Sequence, residues 1–321
     1  MRFIVYGVGA IGGTIAASLR LAGREVVGIA RGRMLEALRD KGLLLRLPDG
    51  EHRVQFACHA SPGEIAFRAD DVILLTMKSQ DSEAAIRALR DTGAGDQPVV
   101  CMQNGVANER TALRYFPNVY GATVMLPADY TVPGEVNCFG GPKSGMFDLG
   151  RYPSGRDATV DAIAGHLQAA NFAVFVQDEV MRSKHGKLLE NLGNVLDAAL
   201  GRGGDTEALA ERARDEGRAV YRAAGIEWTE IDRNEPRRSG VFELRDIAGV
   251  SRTGSSSAQS LARGAGSIES DFLNGEIALL GRLHGVPVPV NATLARLGHR
   301  LVAERLKPGS ISPAEVAALL G

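Results

Sequence analysis

The sequence predicts an α/β protein in which an N-terminal Rossmann-like doubly wound sheet precedes an all-α C-terminal domain. Three observations carry that prediction. Short, wholly apolar runs such as Val72-Ile73-Leu74-Leu75 alternate with helical stretches through the first half. Strands buried on both faces read this way, and they belong to parallel sheets covered by helices. A glycine-rich loop, Gly7-Val8-Gly9-Ala10-Ile11-Gly12, joins the first such run to the first helical stretch. Beyond residue 178 convincing strand runs stop and helical patterns take over. A length of 321 residues suits two domains, expected at 1–178 and 179–321.

The elements follow in order. Phe3-Ile4-Val5-Tyr6 is a β-favouring run that stops at Gly7. A helix is predicted from Ala10 to Ala22, with Gly23 as its stop because glycine tolerates positive φ. Val26–Ile29 is a second strand. Leu43-Leu44-Leu45 and Val54-Gln55-Phe56 flank Pro48-Asp49-Gly50, which reads as a hairpin turn. Val72–Leu75, Val99–Met102 and Val119–Met125 are further strands, and Ser82–Arg90 is helical. Turn signals between Pro127 and Gly150 predict a local antiparallel excursion. A helix over Asp157–Ala170 leads to a strand over Ala173–Val176. Four long helical stretches then run over Met181–Leu200, Thr206–Ala224, Ser257–His284 and Asn291–Leu306. Ser312-Pro313-Ala314-Glu315 has the capping-box spacing with proline at the first helical position, so a short final helix is expected.

Composition narrows the function. Lys plus Arg total 37 against 38 Asp plus Glu, a net charge of −1, which excludes a general electrostatic nucleic-acid binder. The apolar runs are too short to span a bilayer, so no membrane partner is expected. The N-terminus lacks the apolar run of a secretory signal. Three widely spaced cysteines, Cys58, Cys101 and Cys138, form neither a disulfide framework nor a CxxC site and fit a cytoplasmic location. The six histidines show no HExxH spacing and no GxSxG occurs, so neither a metal nor Ser–His–Asp chemistry is expected.

The glycine loop has the dinucleotide-binding pattern. Gly7 would make the tight turn, Gly9 would admit a pyrophosphate to the backbone, and Gly12 would let the helix pack on the strand. The helix N-terminus, with the N–H groups of Ala10 and Ile11, offers unpaired donors to an anion. The end of the second strand, Ile29-Ala30-Arg31-Gly32-Arg33, carries no carboxylate for a ribose 2′-hydroxyl. Arg31 can instead bind a 2′-phosphate, with Arg33 in support, which points to NADPH.

Three groups of polar residues are candidates for chemistry. Lys78 and Gln103-Asn104-Gly105 follow predicted strands at their carboxyl ends, where open α/β sheets bind ligands. Each taken singly also reads as turn chemistry. Lys187, Asn191 and Asn194 are spaced by four and three and would share a helix face, as a site or as a solvated stripe. From spacing alone, Ser255-Ser256-Ser257 reads as a helix N-cap and Glu269 as part of a solvated face.

Together these residues resemble the ketopantoate reductases (2-dehydropantoate 2-reductases) nearly end to end. The resemblance rests on the glycine loop, Arg31, Lys78, Gln103-Asn104-Gly105, Lys187-Leu188-x-x-Asn191, Ser256, Glu269-x-Asp271-x-x-Asn274-Gly275 and Gly285-Val286-Pro287-Val288-Pro289-Val290-Asn291. It implies an NADPH-dependent reduction of a small-molecule 2-oxo acid to a 2-hydroxy acid. It implies Lys187 as the general acid and Glu269 as the group that binds the substrate hydroxyl and helps orient the site. Asn191 and Ser256 match substrate contacts, and Lys78 and Asn104 match positions near the nicotinamide and substrate. A homodimer is compatible with it.

The chain departs from the family pattern in four places. Thr253 stands where well-known members have a substrate-binding Asn, and Asp205 closes a longer glycine stretch where an Asn is expected. One extra residue separates Gln259 from Glu269, and the Asn194-Val195 step lacks a common Pro. These changes leave the hydride chemistry intact and open the substrate to other 2-oxo or β-hydroxy acids. A non-catalytic NADP(H) sensor is the alternative from another class, and the Lys187, Asn191 and Glu269 set argues against it.

Overall fold

The computed structural model of the protein describes residues 1–201, 206–231, 237 and 239–320. By contacts the chain forms two units, one of Met1–Lys184 with Arg233–Ser251, the other of His185–Asp232 with Arg252–Gly321. The division expected at 178/179 is thus drawn differently. The boundary falls between Lys184 and His185, within the helix Val180–Asn191, and a short segment far along the chain packs with the first unit.

The first unit starts with β1 (Arg2–Tyr6), α1 (Ala10–Leu21), β2 (Glu25–Ile29) and α2 (Gly32–Lys41). The expected hairpin follows as β3 (Leu43–Leu47) and β4 (Gly50–Val54), then β5 (Ala57–His59). Next come β6 (Asp71–Leu75), α3 (Ser82–Asp91), β7 (Val99–Cys101), α4 (Asn108–Leu113) and β8 (Val119–Met125). Four short strands fill the predicted excursion: β9 (Ala128–Asp129), β10 (Glu135–Cys138), β11 (Gly140–Pro142) and β12 (Gly145–Arg151). The helix α5 (Ala158–Ala169) and strand β13 (Phe172–Val176) close the run.

The main sheet has eight strands in the order β13-β12-β8-β7-β6-β1-β2-β5, parallel except where β12 meets β8. Alternation along β1 explains its two covered faces. Phe3 and Val5 point into a core with Ile15 and Leu19 of α1 and Ile163 and Leu167 of α5. Ile4 points into a second core with Ile86 and Leu89 of α3 and Phe116. Because β1 lies between β2 and β6, the chain reverses its direction of strand addition there. The carboxyl ends of such strands form the crevice where ligands bind.

The excursion is less local than expected. β10 pairs antiparallel with β9 but also parallel with β3, giving a second sheet in the order β4-β3-β10-β9. β11 pairs antiparallel with a strand from much later in the chain, β14 (Phe242–Leu244). Arg237, from the same returning segment, forms an ion pair of 2.5 Å with Asp148 of β12, whose side chain is 1% exposed.

Two of the long predicted helices are interrupted. Met181–Leu200 divides into α6 (Val180–Asn191) and α7 (Asn194–Leu200). Gly193 begins a new helix instead of continuing the old one, which fits its poor helix propensity. Asn194 therefore opens α7, a separate helix from the one that carries Lys187 and Asn191. After α8 (Glu207–Ala224), the stretch Ser257–His284 divides into α9 (Ser256–Ala262), a 3-10 turn at Glu269–Phe272, and α10 (Asn274–His284). Gly264, at φ +65°, ends α9. The last helices are α11 (Pro289–Ala303) and α12 (Pro313–Leu320), the latter capped as expected by Ser312 and Glu315.

Among the described residues the regular elements of the second unit are all helices. Glu216 of α8 accepts from the backbone N–H groups of Val290 and Asn291 at 2.8 and 2.9 Å, so its carboxylate serves the open N-terminus of α11. Arg202-Gly203-Gly204-Asp205, part of the predicted glycine stretch, lies outside the described residues. No helix among the described residues is long and apolar enough to cross a membrane.

Candidate active site

The first unit holds the glycine loop, Arg31, Lys78 and Asn104 around the carboxyl ends of β1, β2, β6 and β7. Gly7 has φ +102°, and a Cβ there would come within 2.7 Å of the Met77 nitrogen, so turn and packing both demand glycine. A Cβ at Gly12 would collide with the Gly7 carbonyl and the Thr76 hydroxyl. That hydroxyl donates to the carbonyls of Tyr6 and Gly7, both at 2.9 Å.

Gly9 is different. Its φ of −103° suits any residue, and a Cβ there would meet Tyr130 at an ordinary 3.6 Å and the Gly7 carbonyl at 4.0 Å. Nothing among the described residues requires glycine at this position. It is also the N-cap of α1, where no side chain caps the helix and no acidic residue stands in the first turn. Ala10 and Ile11 open that helix, leaving a bare, positively polarised terminus beside an open backbone surface. This is the environment that a pyrophosphate fits.

Arg31 precedes α2 in extended conformation, and its side chain is 76% exposed. Lys78 is half-buried at the start of a 3-10 turn, Ser79–Asp81. A buried polar network ties this turn to Gln103-Asn104-Gly105. The Gln103 amide donates to the Met77 carbonyl at 2.9 Å and to the Ser82 hydroxyl at 2.7 Å. Ser82 donates to Asn108 Oδ1 at 2.8 Å, and Asn108 Nδ2 donates to Ser79 Oγ at 3.1 Å and to the Asn104 carbonyl at 3.0 Å. Lys78 and Asn104 thus sit on loops held in register with each other. Lys184 of α6 completes the support: its ammonium donates to the Gln103 and Ala122 carbonyls at 2.8 and 3.2 Å and lies 2.6 Å from Glu109. Burial raises the Glu109 carboxyl above its ordinary range, against the opposing pull of Lys184.

Asn108, Ser79, Ser82, Glu109 and Lys184 were not singled out by the sequence. The available signal was polarity within otherwise buried segments, but their partners lie far apart along the chain.

The second unit holds Lys187, Asn191, Ser256 and Glu269. Lys187 and Asn191 are one turn apart on α6, as their spacing predicts. Lys187 is largely covered and forms an ion pair of 2.5 Å with Glu190, a residue the sequence reading passed over. Asn191 is buried, and its Nδ2 has no hydrogen-bond partner among the described residues. An unspent buried donor costs stability unless a ligand or water meets it.

The capping reading of the serines is correct for Ser255, which accepts from the Ala258 N–H. Ser255 also donates to the Asn194 carbonyl at 3.0 Å, and its N–H donates to Asp197 at 2.7 Å, which fastens the start of α9 to α7. Ser256 is the first residue of α9, and Thr253 is half-buried just before it. The solvated-face reading of Glu269 is corrected: Glu269 is 4% exposed, in the 3-10 turn that precedes α10. Its spacing looked helical, whereas the turn directs it inward. Asn274, at the start of α10, donates to the Leu192 carbonyl and to Asn291 Oδ1, both at 3.0 Å. The end of α6 and the turn that carries Glu269 are thereby linked.

Comparison with known proteins agrees with this architecture. Residues 3–154 match the family model "Ketopantoate reductase PanE/ApbA", and residues 189–302 match "Ketopantoate reductase PanE/ApbA C terminal". The chain is 30% identical to the 2-dehydropantoate 2-reductase of Halobacterium salinarum over 310 residues, covering 92% of this chain and 97% of that protein. It is also 30% identical to the 2-dehydropantoate 2-reductase of Mesorhizobium japonicum, covering 95% and 99%. Among solved structures, a PanE/ApbA family ketopantoate reductase from Ralstonia eutropha JMP134 superposes with a TM-score of 0.79 at 28% identity, covering 95% of this chain and 99% of that one. A D-mandelate dehydrogenase solved with NADH and anilino(oxo)acetate shares the fold, with a TM-score of 0.78 at 21% identity and coverage of 96% and 100%.

Proposed function

The chain belongs to the ketopantoate reductase family, oxidoreductases that act on CH–OH groups, and from that premise we propose that it reduces 2-dehydropantoate to pantoate with NADPH. The first unit would hold the cofactor: Gly7, Gly9, Ala10, Ile11 and Gly12 at the pyrophosphate, Arg31 at the 2′-phosphate, and Lys78 and Asn104 towards the nicotinamide. The second unit would supply the acid and the substrate contacts. The observation that carries this reading is the pair on α6, where a covered ammonium at Lys187 stands one turn from the unspent amide donor of Asn191.

Bound NADPH supplies the hydride for the keto carbon. As the carbonyl π bond breaks, charge gathers on its oxygen, and the Lys187 ammonium stabilises and then protonates that oxygen. Once it has given that proton to the oxygen, Lys187 takes another from solvent. Glu190 holds the ammonium before substrate arrives and gives way to the developing oxyanion. Asn191 and Ser256 orient the substrate, and Glu269 accepts from its hydroxyl. The free, buried thiols of Cys58, Cys101 and Cys138 suit a reducing cytoplasm.

NADPH oxidation assayed with a panel of 2-oxo acids tests the proposal, with ketopantoate expected to give the highest kcat/KM. Thr253 favours a second reading, an enzyme of the same build for another 2-oxo acid, and a different best substrate in the panel would select it. Glu269 separates the two. Glu269→Ala should raise KM for ketopantoate about tenfold or more, since removing a buried acceptor strands the substrate hydroxyl. A branched 2-oxo acid without that hydroxyl should show little change. Equal effects on both substrates would remove Glu269 from recognition of the hydroxyl.

A further inference from the structure

We propose that Asp81 is a specificity-determining residue for the 2′ position of the cofactor, limiting how strongly the chain prefers NADPH to NADH. The proposal rests on the reading that Arg31 meets that position. No carboxylate stands at the end of β2, where NAD-binding sheets carry one to accept from the ribose hydroxyls. The fold brings one there from another element. Asp81, in the turn after β6, places Oδ1 3.4 Å from Arg31 Nη2. β2 and β6 flank β1 in register, Tyr6 facing Ile29 on one side and Leu75 on the other, so the two side chains converge beside the glycine turn. Tyr6 reports their proximity: burial raises its hydroxyl's pKa most, while Arg31 lowers it and Asp81 raises it.

The pair is exposed, 76% at Arg31 and 45% at Asp81. Exposed ion pairs hold weakly, so Arg31 can turn to a ligand at little cost. The carboxylate does not leave with it. A 2′-phosphate bound to the Arg31 guanidinium near its present position would lie on the order of 6 Å from Asp81, about two hydrogen-bond lengths. Repulsion between carboxylate and phosphate then offsets part of what the guanidinium provides. The 2′-hydroxyl of NADH meets no such repulsion and can donate to the same carboxylate. Arg31 and Asp81 therefore act in opposite directions on one choice.

The test is direct binding of NADPH and NADH, by titration calorimetry or nucleotide fluorescence, to the full chain and to Asp81→Asn, Asp81→Glu and Arg31→Ala. Both side chains are exposed, so the variants should fold, and circular dichroism verifies this. Asp81→Asn should tighten NADPH about fivefold without tightening NADH, and the gain should shrink at high salt. Asp81→Glu should keep the original ratio. If Arg31→Ala loses the preference for NADPH while Asp81→Asn leaves the ratio unchanged, the role of Asp81 is overturned and that of Arg31 stands. If Arg31→Ala leaves the ratio unchanged, both fall.

Discussion

Lys187→Ala is expected to lower kcat by about 10²–10⁴-fold while the Kd for NADPH stays near its original value. The loss combines a proton donor with a cation placed where charge develops, and neither acts on the ground-state cofactor. Lys187 belongs to the second unit, and the residues assigned to the nucleotide belong to the first. Its ion pair with Glu190 makes the test stricter, because the variant leaves a half-buried carboxylate without its partner. Glu190→Gln in the same background removes that complication. Steady-state kinetics beside cofactor titration reads the split. Turnover within a few-fold of the parent would refute the acid role.

Gly9→Val is expected to abolish detectable NADPH binding while the protein stays folded. The backbone there is at an ordinary φ, and a new Cβ would make only ordinary van der Waals contacts, with Tyr130 and the Gly7 carbonyl among the described residues, so the fold tolerates the change. Replacing a glycine N-cap with valine costs about 1 kcal/mol in helix stability. The branched side chain would fill the surface that a pyrophosphate must approach. The same substitution at Gly12 would drive α1 off Gly7 and Thr76 and should destabilise the protein itself. A melting curve near the parent's, together with a lost cofactor titration, is the expected signature for Gly9. Normal binding by a folded Gly9→Val protein would remove the loop from the cofactor site.

These residues differ in how plainly the sequence announced them. The central strands were legible because β1, β2, β6 and β8 are buried on both faces and must be apolar at nearly every position. The glycine loop was legible because its spacing follows from local geometry. The break at Gly193 was hidden, since Leu192 and Val195 continue the apolar pattern across it. Glu269 misled because hydrophobic periodicity cannot distinguish a helix face from a 3-10 turn that points a carboxylate inward. The network under Lys78 and Asn104 was invisible for another reason. Gln103, Asn108, Ser82 and Lys184 find one another only after the parallel strands have set their registers, and no local pattern encodes such pairings.

The return of β14 to β11 bears on how the protein can be divided. A polypeptide cut after residue 178 would contain every residue assigned to the nucleotide, yet it would lack Arg237 and Phe242–Leu244. Asp148, 1% exposed in the whole chain, would lose its counter-charge, and breaking comparable buried pairs costs several kcal/mol. The hydrogen bonds from Lys143 N–H to the Val241 carbonyl and from Arg245 N–H to the Phe139 carbonyl would disappear, leaving β11 as a bare edge open to other chains. The first unit is thus a discontinuous piece of the polypeptide, and its solubility in isolation depends on residues encoded after the first helices of the second. A separable version would need the 233–251 segment rejoined through a linker.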